Sequence, residues 1–361
     1  MTARRAEAGA EPTKTEPGAE PTRAGASAAA IEARAERAAV RALGAIAGRR
    51  IVIAVPWLWL ALFFLVPFLI VLKISFAETR LGVPPYTPLF EWTSEHYLRL
   101  QASVANYVFL VRDSLYAQAL ASSLEVAAVS TLLCLALGYP MAYGIARSGP
   151  RWRGALLLLV LLPFWTSFLV RVYAWMGLLR NNGLVNHVLL ALHVVDEPIV
   201  MLQTSFAMYV GIVYSYLPFM ILPLYANLER HDESLREAAI DLGATPFRAF
   251  LQVTLPLSLP GIVAGAMLVF IPAVGEFVIP RLLGGADSLM IGRVLWDEFF
   301  SNRNWPRASA VAIVLLLVLV APIAVLQRYA SGGSSRIAVR ESSEIALARR
   351  DGRRFANGAA S

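Results

Sequence analysis

Six stretches of this 361-residue chain are apolar for long enough to cross a bilayer, and no other feature constrains its fold as strongly. They cover residues 51–72, 118–145, 155–179, 206–226, 262–283 and 308–326. A helix rises 1.5 Å per residue, so about 20 residues span a hydrocarbon layer of about 30 Å. Buried helices of a large soluble domain are the competing explanation, and they need a thick polar shell. Here 57% of residues are hydrophobic and only 16% are charged, with a mean hydropathy of +0.59. Too few charges remain to coat such a core. The expectation is an all-α polytopic membrane protein with six transmembrane helices.

The arginines orient it. Arg and Lys cluster in the first fifty residues, in the loop Arg147-Ser-Gly-Pro-Arg151-Trp-Arg153, around Glu237 and over 328–354. The alternate stretches 77–115, 180–205 and 284–307 carry fewer: Arg80, Arg99, Arg112, Arg180, Arg293, Arg303 and Arg307. The positive-inside rule then puts both termini and the Glu237 loop in the cytoplasm. The net charge of +7 follows from topology, and no folded basic surface for nucleic acid is expected. Residues 1–50 read as a cytoplasmic extension, disordered to about residue 27 because large apolar side chains are scarce; residues 28–50 have the composition of a surface helix. The stretch after Arg49-Arg50 is too long for a signal peptide and lacks a cleavage site, so 51–76 is a retained first helix. A periplasmic loop over 77–115, a five-helix core over 116–328 with a cytoplasmic loop at 227–256, and a basic tail over 329–361 complete the organisation. The lone Cys134 excludes an intramolecular disulfide.

The spans contain what passive anchors lack. Pro56, Pro67, Pro140, Pro163, Pro218, Pro272 and Pro280 each remove a backbone donor. Gly261, Ala264, Gly265 and Ala266 permit close helix packing. Glu125, Arg171 and Glu276 fall inside spans and Arg281 lies at the outer end of the fifth. Charges at that depth cost about 2.5 kcal/mol or more, so they face a partner or a wet cavity. Glu125 is read as lying near the outer interface. For Glu276, preceded by Gly275, a pathway role and a structural ion pair with Arg171 both stay open. Trp165 and Tyr214 are the deeper aromatic candidates for a pathway, whereas Tyr173 and Trp175 fit an interfacial belt. Aromatic rings beside a carboxylate form a receptor for an organic ammonium.

The loop before the fifth span has an ordered pattern. Leu235, Ala238, Ala239 and Leu242 recur at helical spacing on one small, apolar face. Gly243 is placed to end that helix in a left-handed cap. Thr245 and Pro246 then open a second short helix with Phe247, Phe250 and Leu251 on one side, closed by Leu255-Pro256. Glu237, Asp241 and Arg248 offer charges to a partner. A helix lying on the membrane surface has the same amphipathic pattern.

At Glu237-Ala238-Ala239, Gly243, Val253 and Leu255-Pro256 the chain resembles the permease subunits of type I ATP-binding-cassette importers. Only Val253 departs from the commoner Ile of that coupling-loop signature. The segments Leu137-Gly-Tyr-Pro140, Leu162-Pro-Phe-Trp-Thr-Ser167, Val213-Tyr-Ser-Tyr-Leu-Pro-Phe219, Phe270-Ile-Pro-Ala-Val-Gly-Glu-Phe-Val-Ile-Pro280 and Leu289-Met-Ile-Gly-Arg-Val-Leu-Trp-Asp-Glu-Phe-Phe300 look like the putrescine/spermidine branch. The resemblance covers roughly residues 51–328. The extension 1–50 and Arg281, where that branch would have an acidic or neutral residue, depart from it. The resemblance implies a second, similar permease, a dimer of ATPase subunits that grips Glu237, Ala238, Ala239, Asp241, Gly243, Arg248, Leu255 and Pro256, and a periplasmic binding protein. The substrate pathway it leaves to Trp165, Arg171, Tyr214, Glu276 and Arg281.

Catalysis by the chain itself is not expected. A phosphate loop needs Gly-Lys-Ser/Thr, but Lys14 and Lys73 are the only lysines and neither follows glycine. His96, His187, His193 and His231 are isolated, so no metal site is read. No cofactor is expected on this chain, ATP and magnesium being held by the partner subunits. A permease for another small organic solute, an ion-coupled secondary transporter and a membrane scaffold are the alternatives.

Overall fold

A computed structural model describes residues 52–92, 98–285 and 288–320 of the chain. The extension 1–50, His96, the tail 329–361 and the end of the sixth expected span at 326 lie outside the described residues. The chain divides by packing after Leu69. Up to that point the described part is apolar helix, the beginning of α1 (Val52–Ser75). Trp57, Leu58 and Phe64 are each more than 60% exposed along it, as suits a helix whose solvent is lipid. The turn Ala61–Leu65 is widened, and the Val66 N–H donates to the Ala61 carbonyl. This happens just ahead of Pro67, which has no N–H to offer and crowds the turn before it.

In the second unit three helices form the centre: α3 (Ser114–Arg147), α7 (Ser205–Leu228) and α10 (Leu259–Val274). Asp113 starts α3 by accepting the Leu115 N–H at 3.0 Å. Ala119, Ala127, Cys134 and Ala142 recur along one side of α3 and are fully buried, so α7 lies close with Ile212, Met220 and Leu224. Gly261 and Gly265 do the same for α10; a methyl group on Gly265 would sit 3.1 Å from the Met220 carbonyl oxygen. Lipid supplies no hydrophobic force between helices, and close contact of this kind is what holds them.

Two expected spans are broken. Residues 155–179 are not one helix: α4 (Pro150–Leu161) tightens into a 3-10 turn (Leu162–Trp165), and α5 (Phe168–Leu178) leaves at 90°. Pro163 removes a donor from the last turn, and Thr166 and Ser167 become extended. The fifth span stops at Val274, and after Gly275–Phe277 a short helix α11 (Val278–Leu282) begins. Ahead of it, α9 (Pro246–Leu257) meets α10 at 62°. The described residues therefore hold three unbroken helices able to cross a membrane, or five if each bent pair counts as one span. A shorter apolar helix, α13 (Trp305–Val320), begins the sixth expected span.

The stretches 77–115, 180–205 and 284–307 hold further ordered elements. Phe90–Trp92 (β1) pairs antiparallel with Leu98–Leu100 (β2), a short addition to an otherwise helical chain. Ala105–Arg112 (α2) follows, with the Asn106 side-chain amide donating to the carbonyls of Ser75 and Ala77. In the stretch 180–205 lies Leu184–Ala191 (α6). Ile291–Trp296 (α12) is tied to α3 where the Ile291 N–H donates to Ser123 Oγ at 2.8 Å.

Gly292 of α12 lies against the carbonyls of Gly275 and Glu276, and an added methyl group would come within 2.8 Å of the Glu276 oxygen. Both neighbours are backbone and cannot swing aside. Gly292→Ala is expected to cost about 1–3 kcal/mol. Thermal unfolding in detergent reads this as a lowered midpoint; an unchanged midpoint contradicts the close approach.

Candidate functional site

Two places bring the expected functional residues together. The first is the 227–256 loop. Asp232 Oδ1 accepts the Ser234 N–H at 2.9 Å and so starts α8 (Glu233–Asp241). Gly243 ends it with φ +91. The Ala244 N–H reaches the Ala239 carbonyl at 3.0 Å and the Gly243 N–H reaches Ile240 at 2.8 Å, the paired bonds of a Schellman cap. Thr245 Oγ1 then accepts the Arg248 N–H at 3.3 Å, with Pro246 in the first helical position. This second helix is longer than expected. Pro256 does not close it; a widened turn (Phe250–Thr254) lies within it, and it runs on to Leu257 before bending at Ser258.

The loop has an anchored side and an open side. Phe250 sets its edge against Tyr139 and Tyr143 at 5.7 and 5.8 Å, and Tyr139 hydrogen-bonds Ser258 at 2.9 Å. Phe250 therefore faces inward and does not share an outer side with Phe247. Glu233 bridges Arg147 at 2.9 Å and Arg236 at 3.3 Å, while Arg153 holds Glu229 at 2.8 Å. The Arg147 and Arg153 pairs join the loop to the ends of α3 and α4. On the open side Leu242 is 89% and Phe247 69% exposed, among exposed Glu237, Ala238, Asp241 and Arg248. An apolar pair ringed by charges is the composition of a docking surface.

The Ser234 bond keeps the Asp232 carboxyl below the usual carboxylate range. A depressed folded pKa means that the cap contributes above the unfolded pKa and is lost as pH falls through the folded one. At neutral pH, Asp232→Ala should speed amide exchange at residues 233–236 relative to wild type. The difference should shrink in acid that protonates the carboxyl; a difference independent of pH contradicts this cap.

The second place is a cavity of about 420 Å³ between α5, α7 and the break after α10. Phe164, Phe168, Tyr216 and Phe219 wall it, and Arg171 and Glu276 reach it. Glu276 is 8% exposed. Its Oε1 accepts the N–H groups of Phe277, Val278 and Ile279 at 3.1, 3.0 and 3.4 Å, and its Oε2 accepts the Tyr216 hydroxyl at 2.5 Å. The carboxylate thus caps α11 in the gap that Gly275 opens. The ion pair with Arg171 is not formed: no ion pair joins them among the described residues, and the carboxylate is held instead by the Tyr216 hydroxyl and three backbone amides.

Three other expected pathway residues lie outside this lining. Trp165 is 75% exposed at the end of the 3-10 turn, and its neighbour Phe164 points into the cavity instead. Tyr214 packs its ring edge on Trp175 at 5.4 Å, and Tyr216 takes the cavity position. Arg281, half exposed, sits 3.9 Å from Asp297, which offsets the positive charge that departs from the polyamine branch. The missed residues carried a signal: Tyr216 and Phe219 are three apart on one helix, and so share a face.

A bundle with broken helices around an aromatic, carboxylate-bearing cavity, and a capped two-helix loop with an open face, define a membrane transport component. A family model described as "Binding-protein-dependent transport system inner membrane component" matches residues 134–330. The spermidine/putrescine transport system permease protein PotB of Haemophilus influenzae is 42% identical over 280 residues, covering 78% of this chain and 93% of that protein. PotB of Escherichia coli is 40% identical over 261 residues, 72% of this chain and 90% of that one. The fold is similar to a chain of a bacterial ABC transporter involved in the import of the acidic polysaccharide alginate, with a TM-score of 0.57 at 16% identity, over 79% of this chain and 98% of that one. The chain belongs to the family of binding-protein-dependent transport system inner membrane components. It is a multi-pass inner-membrane protein, a transport component and not an enzyme.

Proposed function

We propose that this chain is a permease subunit of an ATP-driven importer for polyamines such as putrescine and spermidine. The single observation that carries the substrate class is the 42% identity to a spermidine/putrescine permease over 78% of the chain. The cavity chemistry agrees with it. Aromatic faces attract ammonium groups and pack the methylene chain between them, and Glu276 supplies a negative field inside a low dielectric.

In this reading both termini and the 227–256 loop are cytoplasmic. Two ATPase subunits holding ATP and magnesium grip the open face of the loop, and this chain binds no cofactor. A second permease completes the pore and a periplasmic binding protein delivers the substrate. Closure of the ATPases moves α8 and α9 together, because Gly243 joins two capped helices. Phe250 and the Glu233–Arg147 pair pass the movement to α3, and the bend at Ser258 passes it to α10, whose far end carries Glu276.

The test is uptake of labelled putrescine and spermidine by cells lacking other polyamine importers, with this chain expressed beside its partners. Uptake that needs this chain supports the reading. Uptake of neither amine, with all subunits in the membrane, refutes the substrate class.

A further inference from the structure

Arg171 is unexplained by anything above. It lies in the first turn of α5, where a cation opposes the positive end of the helix dipole. Its Nε and Nη1 atoms are buried and lack a hydrogen-bond partner among the described residues. Its guanidinium carbon stands 5.2 Å from the ring centre of Phe164 and 5.7 Å from that of Phe168. Those rings wall the same cavity as Tyr216, Phe219 and Glu276.

Arg171 is half-buried, and a guanidinium with two nitrogens shielded from water normally has a carboxylate partner. Here the carboxylate in the cavity is taken up by Tyr216 and three backbone amides, and the cation rests on aromatic faces. Those faces and the field of Glu276 are what an incoming ammonium group would use. Two cations cannot share them without repulsion in a low dielectric.

We propose that Arg171 is a tethered competitor: its guanidinium occupies the ammonium position of the empty cavity and must be displaced for a polyamine to bind. This rests on the polyamine reading above and makes Arg171 the residue that sets the cavity's affinity. A site already furnished with a cation binds its substrate weakly. Weak binding suits a permease, which receives a concentrated substrate from a binding protein and has to release it on the other side. The same guanidinium keeps small inorganic cations out of the empty cavity.

The test uses the complete transporter, purified without its binding protein. Equilibrium binding of labelled spermidine is measured for wild type, Arg171→Gln, Arg171→Met and Arg171→Lys. The neutral variants should bind roughly tenfold more tightly or better, and Lys should stay near wild type, because charge and not shape is the competitor. Uptake by the neutral variants should fall while binding rises, a split that a merely structural role would not produce. Unchanged or weaker spermidine binding by both neutral variants overturns the proposal and leaves Arg171 as an anchor for an acceptor group. Failure of both to assemble overturns it too, since the guanidinium would then be a structural necessity. If the wild-type transporter imports no polyamine, the substrate reading itself fails; if it imports polyamine and binding does not tighten, only this inference fails.

Discussion

Gly243→Pro is expected to abolish ATP-driven uptake while the protein remains in the membrane. Gly243 has φ +91, and proline is locked near −65°. Its N–H donates to the Ile240 carbonyl at 2.8 Å, and proline has no N–H. Both halves of the cap are lost, at a cost above about 1 kcal/mol, and the direction in which α9 leaves α8 changes. Nothing lies within 4 Å of the position where a side chain would begin, so the damage is confined to backbone geometry. The membrane helices keep their packing, and the open face with Leu242 and Phe247 is what goes out of register. Glu237→Arg should act on the same step without altering the backbone, since Glu237 is exposed on that face. Membrane abundance and ATP-driven uptake in reconstituted vesicles are measured together. Normal uptake by both variants removes the loop from the coupling role.

The second large effect is expected at Glu276. Glu276→Gln retains the size of the side chain and an oxygen able to accept the amides of Phe277, Val278 and Ile279, so α11 keeps its cap. The charge is lost from the cavity. A substrate with two or more ammonium groups loses an interaction worth about 1.4 kcal/mol or more, at least tenfold in transport efficiency. Glu276→Ala removes the cap as well and should lower the unfolding midpoint, which Gln should leave close to wild type. Uptake kinetics for spermidine beside thermal unfolding separate the two roles. Unaltered kinetics in the Gln variant would reduce Glu276 to a helix cap.

Much of the architecture was legible because bilayer thickness turns hydropathy into helix length. The first, second and fourth spans came out as unbroken helices, Val52–Ser75, Ser114–Arg147 and Ser205–Leu228. The breaks were written as prolines but their consequences were not. Pro140, Pro218 and Pro272 stay within helices, whereas Pro163 precedes a 90° bend. Whether a proline bends a membrane helix depends on what satisfies the freed carbonyl, and that is decided by neighbours distant in sequence. The loop was readable almost residue by residue, since capping chemistry is local: Gly243, Thr245 and Pro246 hold their expected places.

The cavity was harder to read. Aromatic residues stand side by side at Phe164-Trp165 and close together at Tyr214-Ser-Tyr216, and helical geometry turns adjacent positions about 100° apart. Choosing Trp165 over Phe164, or Tyr214 over Tyr216, requires knowing where the helix faces. Hydropathy does not contain that. The partner of Glu276 was missed for a related reason. The helix break supplied backbone donors, and backbone donors leave no trace in a list of charged residues.

One measurement tests the cationic substrate and the ATP-driven loop together. Vesicles carrying the complete transporter, with its binding protein outside and ATP on the ATPase side, are given labelled spermidine. Uptake is expected to require ATP, the binding protein and an intact Gly243, and to persist when ion gradients are collapsed. Uptake that survives without nucleotide but disappears with the ion gradient would contradict this.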